Sequence, residues 1–210
     1  MDSNNRKTHW DHVYETKELK DVSWFQPKPE TSLNFVHDFH LPKSAKIIDI
    51  GGGDSLLVDH LLDLGYEDLT VLDISEKAIA KAKKRLGSRA EKVKWVVSDI
   101  IEFKPAEKYD FWHDRAAFHF LTADADIKKY LEIAKMATQP NAVLVFGTFS
   151  DKGPNKCSGL EIKQYSENSL SDKLSSFFKR INCITVDHIT PFQTIQNFVF
   201  CSFLNSVDSV

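Results

Sequence analysis

The sequence contains little cysteine, and its cysteines lie far apart. Only Cys157, Cys183 and Cys201 occur among the 210 residues, and none forms a CxxC pair. A small and odd number of cysteines argues against a disulfide framework. This usage is typical of a protein that works in the reducing cytoplasm.

Long apolar runs and strong net charge are also lacking. No run approaches the ~20 residues needed to cross a bilayer, and the polar start MDSNNRKTHWDH has no apolar signal region. The net charge of −3 and the pI near 6.2 give no basic footprint for nucleic acid or an anionic membrane. We therefore expect a cytoplasmic protein without nucleic-acid or membrane partners, acting as a monomer or weak dimer.

The chain alternates short apolar runs with helical patterns from residue 46 onward. Period-3.6 spacing of Ala78, Ile79, Ala82 and Leu86 predicts one of these helices, with Ser75 as its N-cap. Asp124 is the predicted N-cap of a later helix. The predicted strands are KIIDI (46–50), LTVLDI (69–74), VKWVVSDI (93–100), YDFWHD (109–114) and AVLVFGTF (142–149).

The last third of the chain changes rhythm. A turn-rich loop (150–159) and a helical stretch precede two β-rich segments, 178–189 and 196–204. The short TPFQT link between them requires antiparallel pairing, because a parallel pair needs a helical crossover. The predicted fold class is α/β, a single domain (1–210) with an open, mostly parallel sheet, helices on both faces and an antiparallel C-terminal hairpin.

The first predicted strand ends in a glycine-rich turn, IIDIGGGDSLL (47–57). Glycines at 51, 52 and 53 allow a sharp backbone turn at the place where open α/β sheets bind ligands. A dinucleotide fingerprint needs a further glycine where Leu56 stands, and Asp54 would repel a pyrophosphate. The turn therefore favours a cofactor with a cationic, phosphate-free end over a dinucleotide.

Carboxylates stand at or near the ends of three consecutive predicted strands. Asp49 precedes the glycine turn, Asp73 ends the second strand and Asp99 ends the third. An acid at the second position can accept hydrogen bonds from both ribose hydroxyls, while Ile74 and Ile100 can sandwich a purine. Together these residues outline a pocket for an adenosine that carries an amino acid.

With these motifs the sequence resembles the class I S-adenosylmethionine-dependent methyltransferases, of the small bacterial type. The matching pieces are IIDIGGGDS, TVLDIS, VVSDI and YDFWHD, which cover roughly residues 45–150, and the hairpin extends the likeness to about 204. One departure is Ser55, where the usual turn has its last glycine. The resemblance implies a Rossmann-like sheet of about seven strands, S-adenosylmethionine as cofactor, S-adenosylhomocysteine as product, and no metal.

The resemblance also assigns residues to that cofactor. It implies that Asp49 lies near the methionine amino group and that the glycine turn passes along the sugar and methionine. Asp73 would then hold the ribose, and the end of the third strand, with Asp99 and Ile100, would contact the adenine. The residues expected to bind the cofactor within the core (45–150) are Asp49, Gly51, Gly52, Gly53, Asp73, Ile74, Asp99, Ile100 and His113.

The segment before the first strand (1–40) is crowded with aromatic residues. Trp10 and Tyr14 are four apart and would share a helix face. The segment is either a helix that simply docks on the sheet or a lid that closes the site to water. WDxxY followed by SWFQPxPxTS looks like the front of small bacterial methyltransferases, and more loosely of thiopurine, thiol and protein-lysine methyltransferases. That likeness adds Trp10, Tyr14, Trp24, Phe25 and Gln26 to the expected cofactor contacts.

The segment after the fourth strand, FWHDRAAFHFLT (111–122), carries the candidate catalytic residues. His113, Arg115 and His119 could position a substrate, with Arg115 holding an anionic group and a histidine accepting a proton. His119 is equally consistent with a core histidine. The cluster lacks a convincing metal-ligand set. Cys157, in the substrate-side part (151–204), could cover the substrate pocket.

The expected function is methyl transfer from S-adenosylmethionine to a small molecule or, as the runner-up, a protein side chain such as lysine. A nicotinamide-dependent oxidoreductase lacks support, because the third glycine, a Tyr-x-x-x-Lys pair and a separate substrate domain are all missing. A cofactor-binding module without catalysis is the third alternative. The segment lacks the NPPY-type sequence of adenine- and amide-modifying methyltransferases, which disfavours nucleic-acid bases as acceptors.

Overall fold

The computed structural model describes residues 3–206; residues 1–2 and 207–210 of the predicted domain lie outside the described part. Its helices are α1 (Ser3–Thr16), α2 (Glu30–Asp38), α3 (Leu57–Asp63), α4 (Glu76–Leu86), α5 (Asp124–Ala137) and α6 (Glu167–Leu174). The main-sheet strands are β1 (Lys46–Ile50), β2 (Asp68–Asp73), β3 (Val93–Val97), β4 (Tyr109–Arg115), β5 (Thr138–Phe149), β8 (Lys179–Ile189) and β9 (Ile195–Leu204), and a small hairpin pairs β6 (Lys156–Cys157) with β7 (Leu160–Glu161).

The main sheet has seven strands in the order β3-β2-β1-β4-β5-β9-β8. The first five strands pair in parallel, whereas β9 pairs antiparallel with both β5 and β8. The predicted α/β class, the mostly parallel sheet and the antiparallel C-terminal hairpin are confirmed. Because the chain leaves β1 toward β2 and later returns to β4 on its other side, the strand order reverses at the carboxyl end of β1, where such sheets bind ligands.

Local boundaries differ from the predicted ones in a few places. β3 ends at Val97, because the Asp99 side chain accepts the Ile101 N–H and caps a short 3₁₀ turn. Ser75 is the N-cap of α4, as predicted. Asp124 is not an N-cap: Ala123 holds that position, and the Asp124 carboxylate instead pairs with Lys163 and Lys173.

The sheet is buried on both faces, as continuous apolar runs in parallel strands require. Alternate residues face opposite sides, so Ile48 and Trp112 belong to one core cluster and Ile47 and Phe111 to the other. α5 and α6 cover the first cluster, while α2 and α3 cover the second. Among residues 3–206, no helix is long and apolar enough to span a bilayer.

The terminal hairpin contains a disulfide that the sequence argument did not anticipate. Cys183 and Cys201 face each other across β8 and β9, with a Cα–Cα distance of 4.1 Å, and are joined. The expectation of no disulfide was therefore wrong. Their separation in the sequence does not indicate this pairing, because it is the antiparallel register of the hairpin that brings the two cysteines opposite each other. Cys157 is free and buried.

The disulfide leads to a prediction of thiol count and stability. Protein purified without reductant and then denatured should show one reactive thiol, and three after reduction. The Cys157→Ser variant, as a control, should show no reactive thiol before reduction and two after it. Replacing Cys183 and Cys201 by Ala should lower the free energy of unfolding in urea by about 3 kcal/mol, because the bond closes an 18-residue separation. Three thiols in the unreduced protein would contradict the pairing.

Candidate functional site

Two adjoining cavities open at the carboxyl ends of the parallel strands. The larger has a volume of about 120 Å³ and the smaller about 40 Å³. They share four lining residues: Tyr14, Trp24, Gly51 and Arg115. A single elongated ligand can therefore extend from one cavity into the other past the glycine turn.

The glycine turn is shaped by the carboxylates packed against it. Gly51 and Gly53 have φ values of +66° and +42°, in the region that favours glycine. A Cβ on Gly52 would lie 2.6 Å from Asp49 Oδ2, and one on Gly53 would lie 2.8 Å from Asp73 Oδ2. Gly52 and Gly53 thus allow two acids to lie directly beside the turn, whereas a Cβ on Gly51 would lie 2.7 Å from the Ala117 Cβ. Gly53 itself does not line either cavity.

Asp49 and His113 form a buried pair beside the smaller cavity. His113 Nδ1 lies 2.7 Å from Asp49 Oδ1, and Nε2 lies 2.8 Å from the Ser32 hydroxyl oxygen. Both ring nitrogens are therefore engaged within the protein, and the histidine orients the carboxylate. Because both nitrogens are engaged, His113 is poorly placed to take a proton from a substrate. Ser32 was not identified from the sequence, although it lies in the SWFQPxPxTS segment.

Asp73 ends β2 at the wall of the larger cavity. Its Oδ1 accepts the Ser75 N–H at 2.7 Å. Burial raises the pKa of this carboxyl to about 7, and the charge of Asp49 adds to the rise, while the N–H groups of Ser75 and Gly53 oppose it. Near neutral pH the carboxyl is thus close to its point of half-protonation. Ile74 and Ile100 line the same cavity.

Asp99 is tied to the N-terminal helix by an ion pair. Arg6 approaches Asp99 Oδ2 with Nε and Nη2, both at 2.8 Å, and reaches Asp126 with Nη1 at 3.3 Å. Arg6 also lines the larger cavity. The sequence prediction missed it, although its position four residues before Trp10 puts both on one face of α1.

Asp54 is neutralised by α4. Arg85 pairs with both the Asp54 and the Asp59 carboxylates and also donates to the Ser55 carbonyl oxygen. Asp54 therefore repels an anionic ligand less than its position in the sequence suggests, since Arg85 compensates its charge. Asp49 is the acid that gives the smaller cavity its negative character.

The aromatic residues of the front segment form one group over the cavities. The Trp10 ring lies 6.3 Å from Tyr14, 5.9 Å from Trp24 and 5.0 Å from Phe120, measured between centroids. Asp11 accepts a hydrogen bond from the Ser75 hydroxyl at 2.7 Å and so fixes α1 to the start of α4. α1 therefore crosses the cavity from Asp99 to Ser75. Beyond α1, the smaller cavity is bounded by Phe25 and Gln26.

The turn after β4 is organised by a buried carboxylate. Asp114 Oδ1 accepts the N–H groups of Ala117 and Phe118, and Oδ2 accepts the Tyr130 hydroxyl at 2.6 Å. The Trp112 indole N–H completes the network by donating to the same hydroxyl. Burial raises the Asp114 pKa to about 6. This network positions the residues that follow β4 against the larger cavity.

Arg115, the last residue of β4, lines both cavities. Its Nη1 donates to the Trp24 carbonyl oxygen at 3.1 Å, and its guanidinium lies 5.0 Å from the centre of the Phe198 ring. Nη2 is enclosed and has no hydrogen-bond partner in the part of the chain that the structure describes. Burial lowers its pKa to about 10, so the group remains charged at neutral pH.

His119 and Cys157 lie on the same side of the sheet end but differ in access. His119 is fully buried and does not line either cavity; its Nδ1 accepts the Phe149 N–H at 3.3 Å. Burial, with the charge of Arg115, lowers its pKa to about 3, so it stays neutral. Cys157 does line the larger cavity, and burial raises its thiol pKa to about 11.

Most of the residues predicted to bind the cofactor or the substrate thus line a cavity. Gly53 and His119 do not line either one. The walls also contain apolar residues that no motif indicated, among them Phe120, Phe149 and Phe198. These three come from a turn and from two strands far apart in the chain. Within residues 3–206 there is no group of three or more His, Cys, Asp or Glu side chains arranged to hold a metal ion.

Comparison with known proteins gives the following matches. Residues 48–144 match the family described as a methyltransferase domain. The eEF1A lysine and N-terminal methyltransferase of Bos taurus is 24% identical over 140 residues, which is 66% of this chain and 20% of that protein. The malonyl-[acyl-carrier protein] O-methyltransferase of Anoxybacillus flavithermus is 37% identical over 116 residues, 54% of this chain and 41% of that protein. The chain therefore spans between a fifth and about two fifths of the length of these relatives.

Solved structures share the fold. The 1,6-didemethyltoxoflavin-N1-methyltransferase of Burkholderia thailandensis, determined with 1,6-didemethyltoxoflavin and S-adenosylhomocysteine bound, aligns with a TM-score of 0.69 at 17% identity. The alignment covers 98% of this chain and 87% of that one.

The raised pKa of Asp73 generates a prediction about ligand binding. An ionised carboxylate accepts hydrogen bonds from ribose hydroxyls, whereas the protonated form has lost one acceptor position. Because the pKa is about 7, the affinity for S-adenosylhomocysteine should rise by about tenfold between pH 5.5 and 7.5 in calorimetric titrations. Asp73→Asn should lose about 1.5–3 kcal/mol of affinity at pH 7.5 and most of the pH dependence. The exposed control Asp151→Asn should behave as the parent does, and a pH-independent parent would contradict the role.

Proposed function

We propose that this chain, of which residues 48–144 match a methyltransferase domain family and whose fold is shared with a solved methyltransferase, transfers a methyl group from S-adenosylmethionine to a small-molecule acceptor. The observation that carries the proposal is the pair of adjoining cavities, with Asp49 in the smaller, Asp73 in the larger and the glycine turn between them. This arrangement suits an elongated ligand with an ammonium group at one end and a ribose further along.

The residues of the walls suit the parts of that cofactor one by one. Asp49, held by His113, supplies a fixed negative charge for the amino group of the methionine portion. Asp73 supplies acceptor oxygens for the ribose hydroxyls. Ile74 and Ile100 supply the apolar faces for the adenine, beside the Arg6–Asp99 ion pair.

We infer that the front segment limits the access of water to the cavities. Trp10, Tyr14 and Trp24 form adjoining aromatic walls, and α1 is held at both rims by polar contacts. An apolar cover of this kind lowers the local dielectric and so strengthens each charge–charge contact beneath it. We assign this segment the role of a lid, and not merely of a docked helix.

When bound, S-adenosylmethionine would supply a methyl group carried on a positively charged sulfur. As a lone pair of the acceptor formed a bond to the methyl carbon, the sulfur–methyl bond would break and release the neutral thioether S-adenosylhomocysteine. The chain's own residues then have to align the acceptor and stabilise its reacting form. With His113 engaged and His119 behind the wall, no histidine among residues 3–206 faces the larger cavity as a base. An acceptor that loses its proton readily to water fits this wall.

The larger cavity favours a small acceptor over a protein side chain. Its far wall is built from Phe120, Phe149 and Phe198, with Arg115 and Cys157 between them. Such a wall offers flat apolar surfaces and one charge, a composition common in sites for small aromatic ligands. A protein lysine is the second candidate, because one relative is named as a lysine methyltransferase.

The cofactor assignment predicts selective stabilisation. S-adenosylhomocysteine at 100 times its Kd should raise the stability of the folded state by about 2.7 kcal/mol and so raise Tm in thermal unfolding. NADH at the same concentration should leave Tm unchanged, because the turn lacks the glycine that a pyrophosphate needs. Stabilisation by NADH alone would refute the proposal and favour an oxidoreductase.

The acceptor class is tested by the fate of the methyl group. The purified protein is incubated with methyl-labelled S-adenosylmethionine and a lysate separated into protein and low-molecular-weight fractions. We expect label in the small-molecule fraction, and none in the reaction of Asp49→Asn. Label in protein lysine would instead favour the second candidate. Cofactor binding without any labelled product would indicate a binding module that does not catalyse transfer.

A further inference from the structure

The larger cavity has two ends of different chemistry. Asp73, Asp99 and their isoleucine neighbours follow β2 and β3, whereas Phe120, Phe149 and Phe198 belong to the β4, β5 and β9 side of the sheet. Since β1 lies between β2 and β4, its glycine turn separates the two ends. We name the second end, lined by Trp10, Trp24, Phe120, Phe149, Cys157 and Phe198, the aromatic chamber.

Among the residues that the structure describes, Arg115 is the one charged group at the aromatic chamber. The other charged residues that line the larger cavity, Arg6, Asp73 and Asp99, are at its opposite end, and Arg6 pairs with Asp99. Cys157 keeps its proton, because burial raises the thiol pKa to about 11. Two histidines lie behind the wall: burial lowers the pKa of His119 to about 3 and also lowers the pKa of His188, which packs against Phe198. The chamber is thus apolar apart from a single positive charge.

Arg115 has an unused donor at this wall. Nη1 is committed to the Trp24 carbonyl oxygen and the guanidinium stacks on Phe198, but the enclosed Nη2 has no partner within residues 3–206. The Asp49 charge acts on Arg115 through space, yet Asp49 is already bonded to His113. An enclosed, unpaired N–H on a charged guanidinium is costly unless a hydrogen-bond acceptor completes it, and an anion offsets the buried charge as well.

We propose that the methyl acceptor is a small planar aromatic acid whose acid group pairs with Arg115 while its ring packs in the aromatic chamber. The inference rests on the proposed function, because it assigns the second end of the cavity to the acceptor. The alternative is that Arg115 pairs with the cofactor's carboxylate. The position of Phe198 favours the acceptor instead, because the ring beneath the guanidinium lines the larger cavity and not the smaller one. Flat aromatic walls select a planar ring, and the guanidinium fork selects a carboxylate.

The first part of the test measures charge selectivity with two probes of one shape. In the presence of saturating S-adenosylhomocysteine, 2-naphthoate and its neutral analogue 2-naphthamide are titrated while tryptophan fluorescence is recorded, because Trp10 and Trp24 line the chamber. Naphthoate should bind at least about tenfold more tightly than naphthamide. Arg115→Met should abolish that difference, and Arg115→Lys should retain part of it. Arg180→Met, which removes an exposed arginine of β8, should leave it unchanged.

The second part separates this inference from the cofactor assignment. Arg115→Met should bind S-adenosylhomocysteine and 5′-methylthioadenosine, which lacks the amino-acid tail, as tightly as the parent does; this also shows that the variant is folded. A selective loss of S-adenosylhomocysteine binding would mean that Arg115 holds the cofactor's carboxylate and would overturn the inference. Equal binding of the two naphthyl probes, or binding of neither, would overturn it while the cofactor site stands. Failure of the parent to bind S-adenosylhomocysteine would refute the proposed function itself.

Discussion

The site depends on a steric constraint at the end of β1: the space beside the glycine turn is filled by carboxylates. Asp49 Oδ2 and Asp73 Oδ2 lie where side chains on residues 52 and 53 would be. The turn therefore does two things at once. It reverses the chain between β1 and α3, and it lets two acids from neighbouring strands converge on one point. Such acids repel each other and lose hydration there, which is why the pKa of Asp73 rises to about 7.

The remaining polar groups of the site are arranged around that concentration of negative charge. His113 orients Asp49, Arg85 neutralises Asp54, and Arg6 meets Asp99. Arg115 stands apart from these pairs, because its side chain turns to aromatic rings and a carbonyl oxygen. Acids are therefore concentrated around the glycine turn, whereas Arg115 lies at the boundary of the two cavities. Under the proposals made above, that distribution suits a cationic methyl donor beside an anionic acceptor.

Much of the fold was predictable, because apolar periodicity reports burial directly. β1 and the C-terminal hairpin were found nearly residue for residue, and most expected cofactor contacts line a cavity. Pairings between distant residues were not predictable. The Arg6–Asp99 ion pair, the Ser32–His113 contact and the Cys183–Cys201 bond each depend on three-dimensional register. His119 was ambiguous for the same reason, since sequence spacing does not tell a cavity wall from the layer behind it.

The attachment of α1 has a kinetic consequence. The helix buries only Val13 and Tyr14 among its own residues, and it contributes no strand to the sheet. It is attached to the domain by the ring contacts of Trp10 and Tyr14 and by polar contacts at the two rims. We expect it to detach locally without unfolding the core. We expect a ligand held beneath α1 to enter and leave through this detachment. Under the proposed function, the release of product then depends on how often the fourteen residues of α1 move away from the cavity.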